Sequence, residues 1–184
     1  MSESEQSPPS TPEPGKRRPA TAREAKALGH PLRLRILREC LLRELTNKEL
    51  ADRLETSPGT VLYHVRQLVE AGFLSAAPVR TGSGGALEKP YRATRASWWL
   101  DGPLTGEDPT ERIAPIQAFQ EELDNAGPDS VRTYARFALH LSEEQLTELE
   151  QRIVAILDEY VASDDERLDH PVYGGMFVLH RPRD

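Results

Sequence analysis

The 184-residue chain contains one cysteine and two tryptophans, and aromatic residues make up only 6% of it. The single thiol, Cys40, excludes an intramolecular disulfide and the paired thiolates of a soft-metal site, and it fits a reducing compartment. No run approaches the roughly 20 apolar residues that span a bilayer, and the first 20 residues lack the apolar core of a signal peptide. A cytoplasmic protein without membrane contact is expected. The Gly82 to Gly85 run lacks the Lys-Ser/Thr ending of a phosphate loop, and no paired-carboxylate or nucleophile motif stands out. Enzymatic activity and a cofactor are therefore not expected.

Charge is present but unevenly placed. Residues 1 to 15 carry three acids and no base, residues 16 to 100 carry 16 Lys/Arg against 8 Asp/Glu, and residues 101 to 184 carry 7 against 19. The whole-chain value of -7 thus hides a middle segment of +8 beside a C-terminal half of -12. A basic segment draws in nucleic acid by releasing counterions from phosphates, and an acidic one is repelled.

Residues 1 to 20, rich in Ser, Thr, Glu and proline, have too little apolar area to offset the cost of ordering and read as a disordered tail. Lys16, Arg17 and Arg18 at its end read as solvated, with an arm on DNA phosphates as the alternative. Within a domain of residues 21 to 100, the apolar spacing from Thr21 to Leu42 is helical, interrupted at Gly29-His30-Pro31, where proline suits the first turn of a new helix. In that helix Leu32, Leu34, Ile36, Leu37 and Leu41 are the candidate core, with Arg33, Arg35, Arg38 and Arg43 on the opposite surface. Thr46-Asn47-Lys48-Glu49 is a capping box that opens a short helix carrying Leu50, Ala51 and Leu54. Ser57-Pro58 caps another that runs to about Ala71 and is stopped by Gly72. On it Val61, Leu62, Val65, Leu68 and Val69 form the apolar stripe, which puts Thr60, Tyr63, His64, Arg66 and Gln67 on the outer face and its margins. Phe73 to about Arg80 and Leu87 to about Thr94 read as a hairpin with a flexible tip at Thr81 to Gly85.

Residues 101 to 109 form a linker rich in Gly, Pro and acid, and residues 110 to 184 a helical C-terminal domain for dimerisation or effector binding. There a helix from Thr110 to Asn125 shows Ile113, Ile116, Phe119 and Leu123 on one face. Val131 to Leu141 reads as a helical start and a short terminal strand. A capping box at Ser142 to Gln145 opens a helix to about Ala162, whose Leu146, Leu149, Ile153, Ile156 and Tyr160 make a seam, either a dimer interface or intramolecular core. Tyr173 to Leu179 reads as a last strand pairing with Phe137 to Leu141. The expected fold is therefore mainly α with a small β component.

Helix, turn, helix and then a basic hairpin is the order of a winged helix-turn-helix. Short polar side chains on a helix in the major groove reach base edges, while a wing and arginines grip phosphates and fix register. Ser57, Thr60, Tyr63, His64 and Gln67 are the candidates to face bases, and Arg66 faces base or phosphate. Arg80, Lys89 and Arg92 hold the backbone or probe the minor groove. The runs Ala27 to Leu37, Glu49-Leu50-Ala51 and Ser57 to Leu74 resemble the ArsR-type winged-helix transcriptional regulators over about 70 residues. That resemblance implies a homodimer on double-stranded DNA at a palindromic operator, often a repressor, which releases DNA when a metal or another signal binds. It places Thr60, Tyr63, His64 and Arg66 in the reading helix and Lys89-Pro90-Tyr91-Arg92 in the return strand of the wing.

The acidic extension is outside the basic family pattern and looks like the appended helices of longer regulators, which dimerise or bind a small-molecule or protein effector. The chain also lacks the Cys-x-Cys pair of metal-sensing members, and Cys40 among leucines reads as apolar packing. Asp169, His170 and His180 read as structural, so no metal is expected. Trp98 and Trp99 pack the wing or line an effector pocket. The competing reading is a winged-helix module whose outer residues Tyr63, His64 and Arg66 meet a protein partner instead of DNA.

Overall fold

The computed structural model describes residues 17–82, 85–101 and 109–182. Most of the predicted N-terminal tail and linker, and residues 83 and 84 of the predicted hairpin tip, lie outside them. The fold is mainly helical with short strands: a helix-turn-helix domain and then C-terminal helices. The chain divides into two compact units, the second beginning at Ala126.

The first unit starts with β1 (Arg18–Pro19) and runs through α1 (Ala22–Leu28), α2 (Pro31–Leu42), α3 (Asn47–Arg53) and α4 (Pro58–Glu70). Arg18 and Pro19, placed in the disordered tail from sequence, instead pair in parallel with β6 (Leu100–Asp101). The two basic residues of this end that are among the described residues, Arg17 and Arg18, are engaged. Arg17 donates to the Trp98 carbonyl at 2.8 Å and stacks on the Trp98 ring 4.8 Å from its centre. Arg18 forks onto Glu24 at 2.6 and 2.9 Å. Arg18 first, with help from Thr21, pulls the Glu24 carboxyl down to about 2, and Glu24 also closes the capping box on Thr21 that starts α1.

Ile36, Leu37 and Cys40 of α2, Leu50 and Ala51 of α3, and Val61, Val65 and Leu68 of α4 meet in one core with Leu45, Phe73 and Leu74. Burial pushes the Cys40 thiol up to about 12, so it packs as a small apolar group. Leu41, expected in the core, is exposed, and the arginines of α2 do more than meet solvent. Arg33 donates to the Ala27 carbonyl at 2.6 Å, Arg35 pairs with Glu121 at 3.0 Å and Arg38 with Glu122 at 3.5 Å. Those pairs tie α2 to α5 (Pro109–Ala126), so a helix assigned from sequence to the C-terminal domain belongs almost wholly to the first unit. Its buried face is also not the predicted one. Ala114 and Ala118, one turn apart, are buried, whereas Ile113 and Leu123 are exposed.

The predicted hairpin is present as two short ladders, β2 (Leu74–Ala76) with β5 (Tyr91–Ala93) and β3 (Arg80–Thr81) with β4 (Leu87–Glu88), both antiparallel. Pro78 and Pro90 fall between the ladders, where a residue without an N–H interrupts pairing. Leu45 exchanges both backbone hydrogen bonds with Tyr91 and joins the wing to the end of α2.

The second unit contains α6 (Glu143–Ala162), opened by the predicted Ser142–Gln145 capping box. Val131 to Leu141 forms neither helix nor strand, and Tyr173 to Leu179 forms no ladder. None of the described residues from Ala126 onward is buried. No helix among the described residues is long and apolar enough to cross a membrane.

Candidate nucleic-acid interface

The α3–turn–α4 pair is set by local chemistry. Thr46 accepts from the Glu49 amide and Glu49 from the Thr46 amide, closing a capping box. The Ser57 hydroxyl accepts from the Thr60 amide at 3.2 Å and lies 2.8 Å from the Thr60 hydroxyl. The turn is held further by Asn47, whose amide donates to the Pro58 carbonyl at 2.9 Å. Sequence reasoning missed that bond, although an asparagine at the first position of α3 is a residue type that makes such contacts.

Beyond this cap, α4 exposes Thr60, Tyr63 and Arg66, with Gln67 half-buried beside them. Spacings of three and four put these four on one side of the helix. Tyr63 is 59% exposed, an uncommon placement for an aromatic ring and one that leaves it free to stack or to donate its hydroxyl. Ser57 is exposed at the N-terminal end of the same helix.

His64 does not share this face. Predicted among the outward residues, it is only 7% exposed, and its ring lies 4.4 Å from that of His30, the N-cap of α2. The buried stripe is Val61, His64, Val65 and Leu68, rotated from the predicted one so that Val69 emerges on the surface. The position was legible, because residue 64 lies three after Val61 and four before Leu68. Polarity argued the other way and lost to helical phase. Burial, then the positive neighbours His30 and Arg33, push the His64 imidazole down to about 4. His30 is lowered as well, by burial first and then by Arg33. His30 Nδ1 accepts from the Leu32 amide at 3.2 Å, whereas His64 Nδ1 has no partner among the described residues.

The wing divides in two. Lys89 and Arg92 are exposed and, like Arg66, have no ion-pair partner among the described residues. Arg80 is engaged: its guanidinium meets both Glu49 carboxylate oxygens at 2.7 and 2.8 Å and Glu88 at 3.1 Å. The Thr46 amide, followed by the Thr46 hydroxyl and Arg80, holds the Glu49 carboxyl below its ordinary range. Arg80 thus pins the tip-side ladder of the wing to the start of α3. Among the described residues no group of three or more His, Cys, Asp or Glu converges as a metal site would require.

Comparison with known proteins bears on this region alone. Among curated proteins none matches the chain at a significant level. One solved structure, titled "The crystal structure of the transcriptional regulator SlyA", is 16% identical, covers 79% of this chain and 79% of its own, and superposes with a TM-score of 0.28, too low to bear on fold or function. A family model described as a helix-turn-helix domain matches residues 28–75, from the end of α1 through α4 into β2, and the chain therefore carries a helix-turn-helix domain.

Proposed function

We propose that the protein is a sequence-specific DNA-binding transcriptional regulator, acting as a homodimeric repressor on a palindromic operator. The observation that carries this reading is the outer face of α4: Thr60, Tyr63, Arg66 and Gln67 together, behind an exposed N-cap, in a segment of net charge +8. The short polar groups suit base edges in the major groove, and Arg66 suits a bidentate contact with guanine. Lys89 and Arg92 supply sequence-independent grip on phosphates. The resemblance to ArsR-type regulators supports the dimer and the palindrome, and the acidic C-terminal part is where an effector would act.

Selecting bound fragments from genomic DNA at about 0.15 M salt, then titrating the winner against random DNA, tests the reading. An operator should bind ~10³-fold or more tighter than random sequence. Absence of any enriched sequence would favour a protein partner for this face. On the selected site, Arg66→Ala is expected to cost about 1–3 kcal/mol and to relax preference at one base pair, whereas Arg92→Ala should weaken operator and random DNA alike. Equal losses on both DNAs for both variants would refute that division of labour.

A further inference from the structure

The second unit has the composition of a folded body without its interior. Leu146, Leu149, Ile153, Ile156, Leu157 and Tyr160 share one face of α6, yet none of them is buried. Before the helix, Tyr134, Phe137, Leu139 and Leu141 lie exposed along a segment that is neither helix nor strand. An amphipathic helix whose apolar face is left unburied is marginal in water, because burial of that face supplies most of its stability. This face needs a cover.

We propose that the cover is a second copy of the chain, each copy laying its residues 131–141 along α6 of the other. Charge separates this arrangement from helix-to-helix pairing. Segment 131–141 carries Arg132 and Arg136 and no carboxylate, whereas α6 carries six carboxylates against Arg152 alone. Two α6 helices face to face would oppose like charge; the segment on the helix pairs opposite charge. Reach favours it as well, since an extended segment of this length spans about 36 Å and a helix the length of α6 about 30 Å.

Connectivity makes the cover intermolecular. Only Ser142 separates the segment from α6, and with φ -71 and ψ 165 it carries the chain away in extended form. Folding back onto the same helix needs a reversal, and strand-to-helix connections ordinarily take about 2–6 residues. Exchange with a partner needs none, which is the situation in which short hinges swap. Twofold symmetry then gives two identical segment-on-helix contacts. The proposal specifies the two-copy part of the functional reading and leaves its DNA-binding part separate.

Two charge-swapped full-length chains test it, one with Arg132→Glu and Arg136→Glu, the other with Glu150→Lys and Glu159→Lys, which flank the apolar stripe on opposite sides. All four positions are exposed. Sedimentation velocity should show a wild-type dimer and, for each variant alone, a dissociation constant raised about 100-fold or more. An equimolar mixture should recover a heterodimer, because each segment again meets a helix of opposite charge. Binding to a single operator half-site should be unchanged in both variants, which monitors the first unit and reports the DNA-binding reading on its own. A wild-type monomer at tens of micromolar, variants that dimerise as tightly as wild type, or a mixture of folded variants that recovers nothing would each overturn the proposal. If a charge-swapped chain fails to fold, Leu139→Asp carries the same test: undiminished dimerisation overturns the exchange and its loss supports it.

Discussion

Phe73→Ala is expected to remove about 3–5 kcal/mol of folding stability, the range for truncating a fully buried aromatic residue. Phe73 is 1% exposed and belongs to the one core that joins α2, α3, α4 and β2. Its backbone matters as much as its ring. Gly72 takes φ +79, which lets the Gly72 amide donate to the Val69 carbonyl and the Phe73 amide to the Leu68 carbonyl, the paired bonds that close a helix C-terminus. Phe73 thus ends α4 and begins the wing at the same residue, and the Thr94 amide donates back to its carbonyl at 3.0 Å. Total stabilities of about 5–15 kcal/mol leave little after such a loss, so DNA binding should fall with the folded fraction. Urea titration of the two proteins gives the difference, and a loss under about 1 kcal/mol would show that Phe73 does not hold this junction. Phe137, 51% exposed within one chain, serves as the contrast, since its truncation should leave the first transition in place.

The first unit should also lose stability in mild acid through His64. A histidine whose folded value lies below its ordinary 6.5 stabilises the fold fully above that value, and the contribution is lost as pH falls from 6.5 toward about 4. Protonation places a charge in a buried site whose nearest polar neighbours, His30 and Arg33, are themselves cationic or able to become so. The loss across that window is about 2–3 kcal/mol. His64→Leu, which keeps an apolar filler between α2 and α4, should flatten this limb while leaving stability at pH 7 equal or higher. Denaturation midpoints at half-unit steps from pH 7 to 4 decide the matter. A variant that keeps the full acid slope would assign the slope to other groups.

What could be read in the sequence was what neighbouring residues decide among themselves. Thr46 with Glu49, Ser142 with Gln145, Ser57 before Pro58 and Gly72 after α4 each mark a helix end through a partner two to four positions away, and all four ends lie where predicted. The hairpin was legible for the same reason, as alternating segments flank a glycine-rich tip. The errors concern distant partners. Nothing local says that Arg18 will meet Glu24 while β1 lines up with Leu100, or that Arg35 and Arg38 will hold Glu121 and Glu122. The expected strands at Phe137 to Leu141 and Tyr173 to Leu179 belong to this class, since a strand exists only where something pairs with it. On α4, the polar residues at 60, 63, 66 and 67 were placed correctly by period, and only His64 was assigned by its chemistry against its phase.

The clamp on Arg80 changes how many charges the wing can offer. A cation that already holds two carboxylates brings its own counterions, so a phosphate arriving there would trade one anionic partner for another and release little salt into solution. The ionic-strength dependence of the wing's binding would then count Lys89 and Arg92 and pass over Arg80, and a tally of basic residues in the wing would overstate its slope by about one contact, ~0.9 in the exponent. Glu49 is the reason, since the carboxylate that opens α3 is also the ion that keeps this arginine occupied.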